Sequence, residues 1–182
     1  MDAKITFSEE EKSIEAIWSW YEDQQEAIRD FKNKLRNALL SSLKVQDKFL
    51  GLSMDNVEEY FLDSEKELDY LVSFDIISST EALLRIDFLR KVYNKDKSDL
   101  GRAFRQIYKQ KANWISLEED IIETWKKIES SKKKYLSDFL GLLNYRHWIA
   151  HGRYWTPKLG MQYNVDVSYE ISDKIFELVK AG

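Results

Sequence analysis

Cysteine is absent from the 182 residues, which excludes disulfides, thiolate nucleophiles and every cysteine-ligated zinc or iron–sulfur centre. Proline occurs once and glycine six times. With so few helix breakers, long helices are expected. No apolar run approaches the roughly 18 residues that a membrane-spanning helix needs. The amino terminus runs from Met1-Asp2-Ala3-Lys4 into Ser8-Glu9-Glu10-Glu11 and carries neither the basic nor the apolar region of a secretory signal. The expectation is a soluble, cytoplasmic protein without membrane partners. A chain of this length is expected to form a single domain over residues 1–182 with a core of its own.

The net charge of −4 is unevenly placed. Residues 1–81 carry 9 Lys/Arg against 19 Asp/Glu, residues 82–111 carry 9 against 3, and the remainder balances at 10 each. An acidic first half is no general nucleic-acid glove, but the basic middle permits a local cationic surface.

Apolar spacing predicts helices throughout. Ser8 is a fitting N-cap for a first helix reaching about residue 44, and Ser53 for a second through Val72. Ser78-Ser79-Thr80 offers hydroxyls to open a third helix at Glu81, and a shorter one carries Phe104, Ile107 and Tyr108. Ser116-Leu117-Glu118-Glu119 has the form of a capping box. Another helix spans about 131–152 and closes on Gly152. The stretch 153–166, with Pro157 and Gly160, should be loop with at most a short strand at 162–165, and a last helix covers 167–180. The fold class is therefore all-α, an up-and-down bundle.

What is present in this poverty of special residues is concentrated near the end. Asn144-Tyr145-Arg146-His147-Trp148-Ile149-Ala150-His151-Gly152-Arg153-Tyr154 holds both histidines of the chain. The helix leading to it is apolar nearly all round, which suggests burial on every side and, in a small bundle, a second chain to complete it. At about 100° per residue, Arg146, Ala150, His147 and His151 lie on one arc of about 140° with Leu143 and Leu136, a plausible dimer seam with a polar notch at its end.

Those side chains suit RNA cleavage without a metal. The 2′-hydroxyl attacks the adjacent phosphate, a base removes its proton, an acid protonates the leaving 5′-oxygen, and a cation steadies the phosphorane. Histidine serves either proton transfer near neutral pH, and arginine presents a fork of donors to phosphate oxygens. His151, at the carboxyl end of its helix, stands where the helix dipole favours a cation.

Arg146-His147-Trp148-Ile149-Ala150-His151 resembles the Arg-x4–6-His motif of the HEPN (higher eukaryotes and prokaryotes nucleotide-binding) superfamily, and Glu81-Ala82-Leu83-Leu84-Arg85 resembles the Glu-x3-Lys/Arg element of many catalytic members. The resemblance implies an HEPN-like bundle of four to five core helices with a C-terminal helix. It also implies a homodimer whose two motif copies line one cleft, and a metal-independent endoribonuclease acting as a toxin or antiviral-defence effector, with an antitoxin or defence-complex partner. Arg146 would bind the scissile phosphate, His151 transfer protons and His147 assist, while Glu81 and Arg85 hold Arg146 or the cleft in place. No cofactor and no metal ligand is implied. Two departures stand out: His147 occupies a place where asparagine or aspartate is commoner, and Arg153 stands where some toxin members carry a modifiable tyrosine, with Tyr154 following. Arg153 and Tyr154 could touch RNA by charge and stacking.

Blander alternatives bear on each residue. His147 and His151 have the i, i+4 spacing of two zinc ligands but lack the intervening glutamate of such motifs, or they are simply capping or core residues. Glu81 and Arg85 form an ordinary helical ion pair, and the six tryptophans are packing residues. The same bundle could also bind RNA or a nucleotide, or serve in a defence complex, without cleaving anything.

Overall fold

The computed structural model describes residues 5–111 and 114–181. Among them the chain is 76% helical with no strand. Six α-helices follow in order: α1 (Ile14–Leu40), α2 (Met54–Tyr93), α3 (Asp99–Lys111), α4 (Glu123–Ile128), α5 (Lys133–Ala150) and α6 (Val165–Ala181). A π-helical turn, Leu117–Ile122, leads into α4, and 3-10 turns at Asp47–Phe49 and Ser130–Lys132 precede α2 and α5. The strand expected at 162–165 does not form. Asn164 instead caps α6, its side-chain oxygen accepting from the Val167 N–H at 2.9 Å.

Helix α1 starts at Ile14 rather than at Ser8. Glu9 has φ of 60°, a left-handed backbone that cannot continue a right-handed helix, so Ser8 closes only a local turn. Ser13 provides the cap, accepting from the Ala16 N–H at 3.2 Å. The far end stops at Leu40 because Ser42 adopts φ of 54°.

The expected break at residues 78–80 is also absent. Between Ser53 and Asn94 there is one helix of 40 residues, about 60 Å at 1.5 Å per residue. It contains no glycine or proline, and none of the three hydroxyls that suggest a new start caps one: Ser78 Oγ is buried without a hydrogen bond, and the other two bond elsewhere. Thr80 donates back to the Ile76 carbonyl at 2.8 Å, and Ser79 donates to the Lys12 carbonyl below α1. A hydroxyl becomes a cap only where the backbone leaves the helix, and here it does not.

Helix α2 is the axis of the bundle, touching α1, α3, α5 and α6. Its first half pairs with the carboxyl half of α1 around Leu35, Phe49, Val57 and Phe61. Its middle packs Val72 and Ile76 on Ile14, Ile17 and Phe176. Its last turns bury Leu84, Phe88 and Val92 with residues of α3, α4, α5 and α6.

The apolarity of α5 is satisfied within this one chain. Leu136, Phe139 and Leu142 are fully buried and Leu143 nearly so, at 6% exposure, because α2, α4 and α6 surround the helix. The seam expected from Leu136 and Leu143 is therefore core, and these two residues are covered without a second chain. Helix α5 ends in a Schellman motif. Gly152 (φ +77°) donates to the Ile149 carbonyl and Arg153 to the Trp148 carbonyl, leaving His151 as C-cap.

Candidate functional site

Three segments converge near the carboxyl half of α5. Helix α2 contributes Glu81 and Arg85, α5 contributes Asn144, Arg146 and His147, and the π-helical turn contributes Leu117 and Glu118 with its N-cap Ser116. Together with Leu143 they enclose an open cavity of about 430 Å³.

The centre of this arrangement is Glu81. Its Oε1 accepts from Arg85 Nε at 3.0 Å and lies 2.9 Å from Arg85 Nη2, while Oε2 lies 3.3 Å from Arg146 Nη2. One carboxylate thus spans two guanidiniums. The i, i+4 spacing on α2 forms the first pair, and the packing of α5 on α2 brings in Arg146, 65 residues away. Phe74, about two turns before Glu81 on α2, has its ring 5.9 Å from the Arg146 guanidinium carbon, a distance at which a cation is attracted to the ring face. Two polar atoms here are buried without a hydrogen bond, Glu81 Oε2 and Arg146 Nε. The pair is close enough to attract but is not a bidentate fork.

The two histidines take different places. His147 lines the cavity beside Arg146. His151, one turn on, is exposed and does not line it. Its ring lies 4.2 Å from that of His147, centroid to centroid. Arg146 and His151 stand about 140° apart around the axis at 100° per residue. Among the described residues no group of three histidine, aspartate or glutamate side chains comes together as a metal site.

Arg153 and Tyr154 do not join the cavity. Arg153 (φ +57°) forms a bidentate pair with Glu67 at 2.8 and 3.0 Å and lies 4.5 Å over the Tyr70 ring. The Glu67 hydrogen bonds hold its guanidinium above the usual arginine range. Arg153 therefore fastens the loop after α5 to α2. Tyr154 is 83% exposed, edge-on to Trp155.

The motif helix rests on stacked aromatics. Tyr163 stacks on Tyr145 at 5.5 Å, Tyr145 on Trp148 at 5.9 Å, and Trp148 meets Tyr70 edge-on at 5.7 Å. Trp148 also donates its indole N–H to the Trp155 carbonyl at 2.8 Å. Gly141 admits the Tyr163 ring, since a Cβ there would stand 1.9 Å from the phenolic oxygen. The tryptophans divide: Trp125 is core, Trp148 is half-buried, and Trp114 is 89% exposed.

Ser116, Glu118 and Asn144 were not among the site residues read from the sequence. Ser116 and Glu118 belong to a segment whose local pattern speaks only of a helix start, and it does start one, with Ser116 accepting from the Glu119 N–H at 3.2 Å. The returning bond comes from Asp120 rather than Glu119. Its carboxylate accepts from the Ser116 N–H at 2.9 Å and from Lys111 at 2.6 Å, because the wider π turn moves the partner one residue along. Asn144 stands two residues before Arg146, and its neighbourhood was its only signal. No known protein family, no curated protein and no solved structure matches the chain.

Proposed function

We propose that this protein is a metal-independent endoribonuclease of HEPN type, working in the cytoplasm as a homodimer and serving as a toxin or antiviral-defence effector. The observation that carries this reading is the joining of its two short motifs. Glu81 and Arg85 on α2 meet Arg146 on α5 at one open cavity, with His147 on the same wall. Arg146 would bind the phosphate oxygens, and Glu81 would set the direction of its guanidinium. His151, exposed and turned away from its own Arg146, would complete the cleft of a second protomer and transfer protons there. Two protomers would then supply two guanidiniums and two imidazoles to one phosphodiester.

Purified protein is expected to cut RNA in EDTA, leaving 2′,3′-cyclic phosphate and 5′-hydroxyl ends. Arg146→Ala and His151→Ala should each abolish the cutting, and cleavage persisting in both variants removes the assignment.

One observation favours a second reading, in which the site binds RNA or a nucleotide within a defence complex and cleaves nothing. Glu81 already engages Arg146, and the carboxylates of Glu81 and Glu118 match the guanidiniums of Arg85 and Arg146 in number. Saturable RNA binding without turnover, in the dimer and with any partner supplied, would support it.

A further inference from the structure

The cavity is lined by unlike groups. The guanidiniums of Arg85 and Arg146 flank Glu81. Glu118, in the first turn beyond Ser116, and Asn144 line it as well, and both are exposed. Among the described residues, no hydrogen bond or ion pair engages the side chains of Glu118 or Asn144. Leu117 and Leu143 also border the cavity but belong to the core, at 4% and 6% exposure, so its surface is mainly polar.

We propose that Glu118 is a base-reading residue that selects guanine beside the phosphate held at Arg146, a proposal that rests on the RNA-directed reading above. The chemistry is that of matching donors to acceptors. An ionised carboxylate only accepts hydrogen bonds, and with its two oxygens it accepts two at once from neighbouring donors. On their Watson–Crick edges, adenine and cytosine set one amino group beside a ring nitrogen that is itself an acceptor. Uracil sets one N–H between two carbonyls. Guanine alone sets a ring N–H directly beside an amino group, so it alone satisfies both oxygens. The other three bases would place a lone pair against a negative charge, a repulsive contact that discriminates as strongly as the attractive one. The same charge disfavours the phosphate at Glu118, whereas the guanidiniums of Arg85 and Arg146 attract it. The cavity, about 430 Å³, lies within the roughly 300–1,000 Å³ of ordinary ligand sites. Asn144, with both a donor and an acceptor on its amide, suits the remaining edge of the base or the ribose.

The test uses the whole protein and the four nucleoside monophosphates, each with its phosphate at the 3′ or the 5′ position. Dissociation constants are measured by calorimetry for wild type, Glu118→Gln and Glu118→Asp, and the cut sites in a mixed-sequence RNA are mapped in parallel. The guanosine nucleotide should bind about tenfold to a hundredfold more tightly than the other three, as expected for one bidentate contact to a base. Glu118→Gln, which puts an amide N–H against a guanine donor, should erase that margin, and Glu118→Asp should keep part of it. Cut sites should lie beside guanosine in wild type and lose that bias in Glu118→Gln. Equal or undetectable binding of all four nucleotides overturns the proposal, as does a guanosine margin unchanged in Glu118→Gln. A guanosine margin in a protein that cuts no RNA leaves the base site standing and removes the nuclease. Cutting that depends on Arg146 but ignores the base does the reverse.

Discussion

Replacing Glu81 by alanine separates the role of its carboxylate in stability from its role in aiming Arg146. The pair with Arg85 is helical and half-exposed, 44% on the arginine side, so its loss should cost only about 0.3–0.5 kcal/mol. The contact with Arg146 is better shielded, with exposures of 32% and 17%. It is single-pronged, however, and Arg146 Nε makes no hydrogen bond, so about 1 kcal/mol is a fair allowance after solvent screening. The total is about 1.5 kcal/mol, or a fall in Tm of about 3–6 °C for a chain of this size. The effect on cleavage should be much larger. Without Glu81 the Arg146 guanidinium loses its anchor, and a displacement of about 1 Å at a phosphate-binding group costs up to about a hundredfold in rate. The decisive measurement is a double-mutant cycle on single-turnover RNA cleavage with Tm recorded alongside. Glu81→Ala should slow wild type about tenfold to a hundredfold and have no further effect in an Arg146→Lys background, where the aimed fork is already gone. Full-rate cleavage by Glu81→Ala, or equal slowing in both backgrounds, would refute the idea that Glu81 acts through Arg146.

Two further predictions concern the platform beneath the site. Gly141→Ala puts a Cβ 1.9 Å from the Tyr163 hydroxyl. The crowding, about 1–3 kcal/mol, should outweigh the helix-propensity gain of about 1 kcal/mol and lower Tm in thermal melts. In a Tyr163→Ala background the same change should raise Tm, and a decrease in both backgrounds would show that the Tyr163 ring is not the obstacle. Burial pushes the Tyr145 phenol up to about 12. Because the folded value lies above the unfolded value of about 10, the stability tied to its neutral form is complete below about pH 10 and is lost as pH rises through about 12. Urea unfolding across that range should show a shallower decline in Tyr145→Phe, with a remainder from Tyr21, which burial and its bond to Asp69 also raise. An unchanged decline would mean that Tyr145 is not held neutral by the fold.

Much of the architecture was readable because helix formation here is a local matter. With no glycine or proline between Ser53 and Asn94, that stretch lacks the residues that most strongly break a helix. At residues 78–80 the hydroxyls do not mark a helix start, because a hydroxyl's partner depends on where the backbone runs. The start at Ser8 failed for a similar reason, since Glu9 enters a left-handed conformation that no side-chain pattern announces. The apolar pattern of α5 marks a largely buried helix, with Leu136, Phe139, Leu142, Leu143 and Tyr145 buried but Leu140, Trp148 and Ile149 only partly so and Ala150 exposed. What buries the helix was not legible, because periodicity records that a face is covered and not by which helix.

The candidate site divides along the same line. Sequence alone determined that Arg146 and His147 share a helix, that Glu81 and Arg85 form an i, i+4 pair, and that Gly152 ends the helix carrying His151, since each of these depends on spacing within a single helix. Tertiary structure alone decided that Glu81 reaches Arg146, that Glu118 and Asn144 line the same cavity, and that Arg153 pairs with Glu67 away from it. Contacts between residues far apart in the chain depend on how whole helices pack, and packing energy is summed over many side chains that no short motif contains.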